Sequence, residues 1–393
     1  MDGTEDPMIS LEGLGKTFDD GTVAVEALDM HVPRNSLVTL VGPSGCGKST
    51  TLKMVNRLIE PTTGRIVLDG EDVTGVDPVQ LRRRIGYVIQ QVGLFPHQTI
   101  RANVGTVPDL LGWDRRQVIA RSNELLELVG LDPSVYGDRY PHQLSGGQRQ
   151  RIGVARALAA DPPVLLMDEP FGAVDPVVRA RLQDEFLRLQ SELAKTVMLV
   201  THDIEEAVKL GDRVAVFAQG GRLAQYDTPA TVLGAPADGF VSEFVGTDRG
   251  LRRLAVTEIE ECDLVRAPMV RTESTLAEAR AVLERDEALW AVVLDADDHL
   301  RGWISITECE GPGVVADRAR RMGAYVERAA QLKDALSTML RHDAGWVAVL
   351  DGSRLCGVLT PESLHAALRR SVRAADAGIE SADVELDTAG PLH

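Results

Sequence analysis

The run Gly42-Pro43-Ser44-Gly45-Cys46-Gly47-Lys48-Ser49-Thr50 has the spacing GxxxxGK[ST]. Such a run suits phosphate chemistry. Its glycines let successive backbone N–H groups converge on phosphate oxygens, the lysine reaches the β- and γ-phosphates, and the hydroxyl after it ligates Mg²⁺. Residues 42–50 are therefore expected to cradle the phosphates of a nucleotide, with Ser49 on the metal, which by itself leaves kinases, GTPases, helicases and transport ATPases open. A second group, Asp168-Glu169, ends the apolar run Val164-Leu165-Leu166-Met167. Asp168 would hold Mg²⁺ through its water shell, and Glu169 would act as general base on the water attacking the γ-phosphate. Between the two lies Leu144-Ser145-Gly146-Gly147-Gln148, a hydroxyl and a glycine turn opening a helix. That is a second anion cradle, and one nucleotide does not need two from the same chain.

These groups need elements to aim them. Leu37-Val38-Thr39-Leu40-Val41 predicts a buried strand running into the glycine loop, and Leu52, Val55, Leu58 and Ile59 predict a helix leaving it. Val164–Met167 predicts another buried strand, which puts Asp168 and Glu169 at the C-terminal edge of a parallel sheet. Residues 149–160 are rich in helix formers. The fold class is α/β. The 393 residues suit two or three domains. With 59 acidic against 42 basic residues the net charge is −17, which argues against a nucleic-acid partner. No apolar run approaches the ~18 residues of a membrane span. The acidic start MDGTEDPMIS does not resemble a secretory signal, and four scattered cysteines (Cys46, Cys262, Cys309, Cys356) suggest neither a zinc site nor a disulfide framework. A soluble protein of the cytoplasm is expected.

The LSGGQ run followed by a hydrophobic strand and Asp-Glu resembles the ATP-binding subunits of ABC transporters. The resemblance implies a P-loop ATPase with a RecA-like core, an antiparallel β subdomain and a helical subdomain carrying the signature. It also implies two copies paired head to tail, so that Ser145, Gly146, Gly147 and Gln148 of each close over the other's ATP. Further positions follow one by one. Phe18 matches the aromatic that stacks on adenine, where most members have Tyr. Gln90 matches the glutamine that touches Mg²⁺ and the attacking water. Asp175 matches the residue that crosses the dimer interface, and His202 the switch histidine on the γ-phosphate. The implied catalytic set is Glu169, His202 and Gln90, with Ser49, Gln90 and Asp168 on Mg²⁺.

Arg57–Pro61, Ile85–His97 and Met167–Gly172 narrow the resemblance to importers of quaternary-amine osmoprotectants: glycine betaine, carnitine, choline and proline betaine. The partners implied are integral-membrane permease subunits, which Gln90, Gln91 and Gly93–His97 would meet, a second ATPase subunit, and indirectly a solute-binding protein. The chain would then lie peripherally on the inner membrane face. An importer of a polyamine, amino acid or sugar is the alternative. A DNA-repair or chromosome ABC protein would need a coiled coil or zinc insertion between Lys48 and Leu144, and a translation factor a second cassette; neither is present.

The ATPase pattern covers 1–245, and 246–262 is expected to be a linker. Beyond it, a shift of 56 superposes Leu276 on Leu332, Ala279 on Ala335, Trp290 on Trp346 and Asp295 on Asp351, among 8 identities in 20 positions. Each copy predicts helix, strand, turn, strand, and resembles a cystathionine-β-synthase (CBS) motif, at 263–315 and 316–370. The resemblance implies a regulatory pair. Its ligand, a nucleotide or a membrane surface, is left open, because the nucleotide pattern is broken at Ser305/Glu308 and Thr360/Ser363. Arg318, Arg320, Arg321 and Arg328 form a basic cluster between the copies. Trp290 and Trp346 are expected as core anchors. Residues 371–393 have few large apolar side chains and are expected to be disordered.

Overall fold

The computed structural model describes residues 7–89, 93–172, 174–246 and 248–376, with side chains as far as Ser371. It divides into two compact units, Met1–Val232 with Pro236–Gly246, and Leu233–Ala235 with Thr247–His393.

The strands of the first unit are β1 (Ile9–Thr17), β2 (Val23–Val32), β3 (Leu37–Val41), β4 (Thr63–Leu68), β5 (Glu71–Asp72), β6 (Ile85–Val88), β7 (Val164–Asp168), β8 (Thr196–Val200), β9 (Arg213–Ala218) and β10 (Arg222–Asp227). One sheet, β2-β1-β4-β5, is antiparallel throughout. The other has the order β10-β9-β3-β8-β7-β6, parallel except for the edge pair β9/β10. Alternation explains why its central strands are apolar along their whole length: successive side chains serve opposite faces, and both faces are covered. Val38, Leu40, Leu166, Met198 and Val200 enter the core shared with the antiparallel sheet. Leu37, Leu165, Met167, Val197 and Leu199 enter the core shared with the helices Ile100–Leu110, Arg115–Leu128, Gly146–Leu158 and Pro176–Leu193.

The helix after the glycine loop is shorter than its apolar spacing predicts, ending at Val55. Arg57 turns left-handed at φ 50°, and the Leu58 N–H closes back on the Lys53 carbonyl at 2.8 Å. Leu58 is consequently 46% exposed and Ile59 only partly buried.

In the second unit the helix-strand-turn-strand repeat is present with one strand added to each copy. The first copy has β11 (Met269–Arg271), β12 (Trp290–Leu294) and β13 (Leu300–Ser305); the second has β14 (Tyr325–Glu327), β15 (Val347–Asp351) and β16 (Arg354–Leu359). Each three-stranded sheet pairs its first two strands parallel and its last two antiparallel. The 56-residue shift carries the pairing Met269↔Val292 onto Tyr325↔Ala348. The helices Leu276–Arg285 and Leu332–His342 cover them with Leu276, Ala279 and Leu283, and with Leu332, Ala335 and Met339.

From residue 248 onward, the segment 246–262 expected as a linker is built into this unit. It contains the helix Arg249–Leu254, and Leu254 and Ile259 are buried among the second copy's core residues. Arg370 fastens it from the other end: its Nη2 donates to the buried Asp263 at 2.7 Å, and it pairs with Glu260. The final helix, Pro361–Asp376, runs through the start of the expected disordered tail; 377–393 lie outside the described residues. Arg320 pairs with Glu308, Arg328 lies 4.0 Å from Glu261, and the segment that carries them is not a continuous helix.

Candidate active site

The order β3-β8-β7 sets three loops side by side at the C-terminal ends of parallel strands. Leu40 and Asp168 both stand level with Val200, and the N–H groups of Thr201 and Glu169 donate to the Leu40 and Val200 carbonyls at 3.0 Å. The phosphate loop, the two carboxylates and His202 are thus held by one stretch of backbone.

In the loop the helix begins at Lys48 behind Gly47, which has φ 98°. A Cβ on Gly47 would stand 2.3 Å from the Ala24 carbonyl oxygen. Gly42 is closed in similarly, 2.2 Å from the Phe217 carbonyl oxygen, whereas Gly45 opens onto free space. Gly47→Ala therefore combines a left-handed strain with a backbone clash. It should cost a few kcal/mol of stability and abolish nucleotide binding, measured by thermal melting and fluorescent-ATP titration.

The N–H groups of Gly45, Gly47, Lys48 and Ser49 meet no acceptor among the described residues, and no carboxylate occupies the first helical turn. Those donors, with the helix dipole behind them, fit an anionic phosphate chain. The Lys48 ammonium is buried and donates to the carbonyls of Gly42 and Pro43 at 2.8 and 2.9 Å, with the buried Cys46 Sγ at 3.5 Å. It is drawn back on its own loop, a position from which a phosphate can compete for its protons. Ser44, Thr50 and Pro43 complete the run; Pro43 accepts from both Cys46 N–H and Lys48.

Ser49 Oγ donates to Asp168 Oδ1 at 2.8 Å. A hydroxyl and a carboxylate oxygen at this separation are hard donors that suit Mg²⁺, which keeps water for its remaining positions. Glu169 sits beyond the strand end with φ 46°, an uncommon left-handed conformation for a residue with a side chain. Its Oε2 lies 3.4 Å from Nδ1 of His202, which is 57% exposed while Glu169 is 23% exposed. The pair has one member sheltered and the other facing outward.

Phe18 lies in the turn between β1 and β2, is 39% exposed, and has Lys16 Nζ 5.5 Å from its ring centroid. Such a face can carry a base. Ser145 caps the helix Gly146–Leu158, accepting from Gln148 N–H at 3.3 Å while Gln148 Oε1 accepts from Ser145 N–H at 2.9 Å. Ser145 and Gly146 are exposed, and a Cβ on Gly146 would meet nothing, whereas Gly147 packs against Val178. This turn belongs to the helical layer, not to the sheet edge that carries the loop at 42–50. Asp175 caps the helix Pro176–Leu193 by accepting from Val177 N–H at 3.0 Å. Gln90 lies outside the described residues.

Three neighbours escaped the sequence reading. Tyr87 has its hydroxyl pushed up to about 12, by burial first and by the Asp168 carboxylate second. Arg179 reaches from the helix behind Asp175 to the Val174 carbonyl at 3.2 Å and to Asp203 at 4.0 Å. Gln183, one turn on, donates to the buried Glu206 at 2.8 Å; burial raises that carboxyl above its ordinary range, against hydrogen bonds from Thr201 and Gln183. Two bridges thus tie the Asp175 helix to the segment after His202. The partners are some two dozen residues apart, so no local spacing announces them.

Comparison with known proteins agrees with this geometry. The family model described as ABC transporter matches residues 25–172. The chain is 44% identical over 363 residues to the glycine betaine/carnitine/choline transport ATP-binding protein of Bacillus subtilis, covering 91% of this chain and 95% of that one. It is 45% identical over 350 residues to the osmoprotectant import ATP-binding protein of Salmonella typhimurium, covering 88% and 91%. A dimeric ATP-binding cassette solved in a post-hydrolysis state with ADP and phosphate superposes with a TM-score of 0.51 at 32% identity, covering 56% of this chain and 99% of that one. A glycine-lined phosphate loop abutting an Asp-Glu strand end, in a chain related over nine tenths of its length to such subunits, makes this protein a member of the ABC transporter family, an ATP-hydrolysing ATP-binding subunit.

Proposed function

We propose that the chain powers an importer of quaternary-amine osmoprotectants of the glycine betaine, carnitine and choline class. The observation that carries this is the extent of the likeness: relatives so named are matched through both units, over 363 residues in one case. No helix of the described residues is long and apolar enough to cross a membrane, so the path for the solute would belong to permease subunits, with this chain bound to their cytoplasmic face.

In this reading the Lys48 ammonium and the N–H groups of Gly45, Gly47, Lys48 and Ser49 bind the phosphates, Phe18 carries the base, and Ser49 and Asp168 hold Mg²⁺, with Gln90 as a further ligand. The metal supplies neutralisation of phosphate charge when bound. Glu169 takes the proton of the attacking water. His202, 3.4 Å from it, holds that carboxylate in place and reaches toward the γ-phosphate. Ser145–Gln148 of a second copy closes the site, with Asp175 at the contact, and closure moves the permease. The repeats of the second unit would be a tandem CBS pair regulating the cycle.

The test is solute-dependent ATP hydrolysis by the chain reconstituted with its permease and solute-binding protein. Glycine betaine, carnitine or choline should raise the rate severalfold, and a polyamine or sugar should not. Stimulation by a polyamine or sugar alone would overturn the substrate class.

A further inference from the structure

Trp290 and Trp346 hold equivalent places in the two repeats, and their rings stack with centroids 3.8 Å apart and planes 10° apart. As expected of core anchors, they pack against a small buried cluster of Ala267, Val292, Leu294 and Val358, but they are not enclosed by it. Both are half-buried, and with Trp303 they line an open cavity of about 480 Å³ whose wall also carries Arg321, His342 and Asp343.

Trp303 is the informative residue, because repeat packing does not ask for it. Gly302 pairs with Val293 in β13 and Gly357 with Val349 in β16, so the place of Trp303 in the second copy is taken by Val358, which is 1% exposed. The first copy thus has an indole at a cavity wall where the second has an aliphatic core residue. Arg320, 5.5 Å from the Trp303 ring, is already paired with Glu308. Arg321 and Asp343, by contrast, have no ion-pair partner among the described residues. Asp343 is set at the cavity by a left-handed turn, φ 47°, that ends the helix Leu332–His342.

Trp290 and Trp346 each give one face to the other, and Trp303 has Arg320 over one of its own, so each indole keeps one face for a weakly hydrated alkylammonium group, and a carboxylate beside them adds charge complementarity. A guanidinium free to make paired hydrogen bonds suits a carboxylate. One free charge of each sign beside an aromatic wall matches a small zwitterion. We propose that this cavity binds a zwitterionic quaternary ammonium compound, its methylated cation against Trp290, Trp303, Trp346 and Asp343 and its carboxylate against Arg321. The identification rests on the osmoprotectant reading above, since the ligand would be the solute delivered to the cytoplasm.

Three of the chain's four tryptophans line the cavity, so intrinsic fluorescence of the full chain, with calorimetry, reports binding. Glycine betaine should bind saturably, choline, lacking the carboxylate, about tenfold more weakly, and glycine, lacking the methyl groups, not at all. Trp303→Val, which installs the second copy's residue, should weaken glycine betaine about tenfold or more. Arg321→Gln, at an exposed side chain that leaves the fold intact, should erase the preference for glycine betaine over choline. Both variants should hydrolyse ATP at the parent rate. Absence of saturable binding to the parent chain, equal binding of glycine, or affinities untouched by both substitutions would overturn the site. A reconstituted transporter stimulated by glycine betaine while its ATPase chain fails to bind it overturns this inference alone; a transporter indifferent to every quaternary amine overturns the substrate reading and this inference with it.

Discussion

Glu169→Gln should leave ATP binding intact and lower turnover by about 10²- to 10⁴-fold, the range associated with removing a general base. The amide keeps the shape of the side chain and its reach to His202, now 3.4 Å, but cannot take a proton from water. The left-handed backbone of residue 169 is held from outside, by its N–H on the Val200 carbonyl and by Gly172 N–H on its own carbonyl, so the substitution does not disturb the turn. Binding and turnover should therefore separate cleanly. The measurement is steady-state phosphate release beside nucleotide affinity on the same preparation. Near-normal turnover would remove Glu169 from the base role.

Lys48→Ala should fail one step earlier. The ammonium is buried, and the carbonyls of Gly42 and Pro43 that hold it are backbone, so they remain in place when it goes. What is lost is a charge-assisted contact to phosphate, a loss of about 1.5–3 kcal/mol, or roughly ten- to a hundredfold in ATP affinity. The two carbonyls left without a donor at the phosphate site act in the same direction. Titration with a fluorescent ATP analogue checks this, and unchanged affinity would refute the assignment of the loop. The contrast between the two variants is diagnostic: one binds normally without turning over, the other is weakened at the binding step itself.

The phosphate loop and the Asp-Glu strand end were legible because their chemistry is local. Gly47 must be glycine for reasons set by its own φ and by one backbone neighbour, and the apolar strands carry their burial in consecutive residues. The repeat was legible because duplication leaves its spacing in the sequence, and the register of the two sheets follows it. What was illegible depends on distant partners. The early end of the first helix turns on a left-handed Arg57, a conformation its residue type does not favour. The charged segment at 246–262 looked like a tether because its binding partner, Arg370, lies more than a hundred residues on. The tandem tryptophans have the composition of a core. They do pack on a small core, and that they also border a cavity beside the unrepeated Trp303 shows only in three dimensions.

A Glu169→Gln complex with Mg-ATP, crystallised or imaged as the trapped dimer, tests the central claim most directly. The account predicts two nucleotides, each with its phosphates in the 42–50 loop of one protomer and its γ-phosphate within hydrogen-bond distance of Ser145 of the partner subunit. Nucleotide held by the loop alone in a monomer, or in a dimer whose Ser145 turns face solvent, would contradict it.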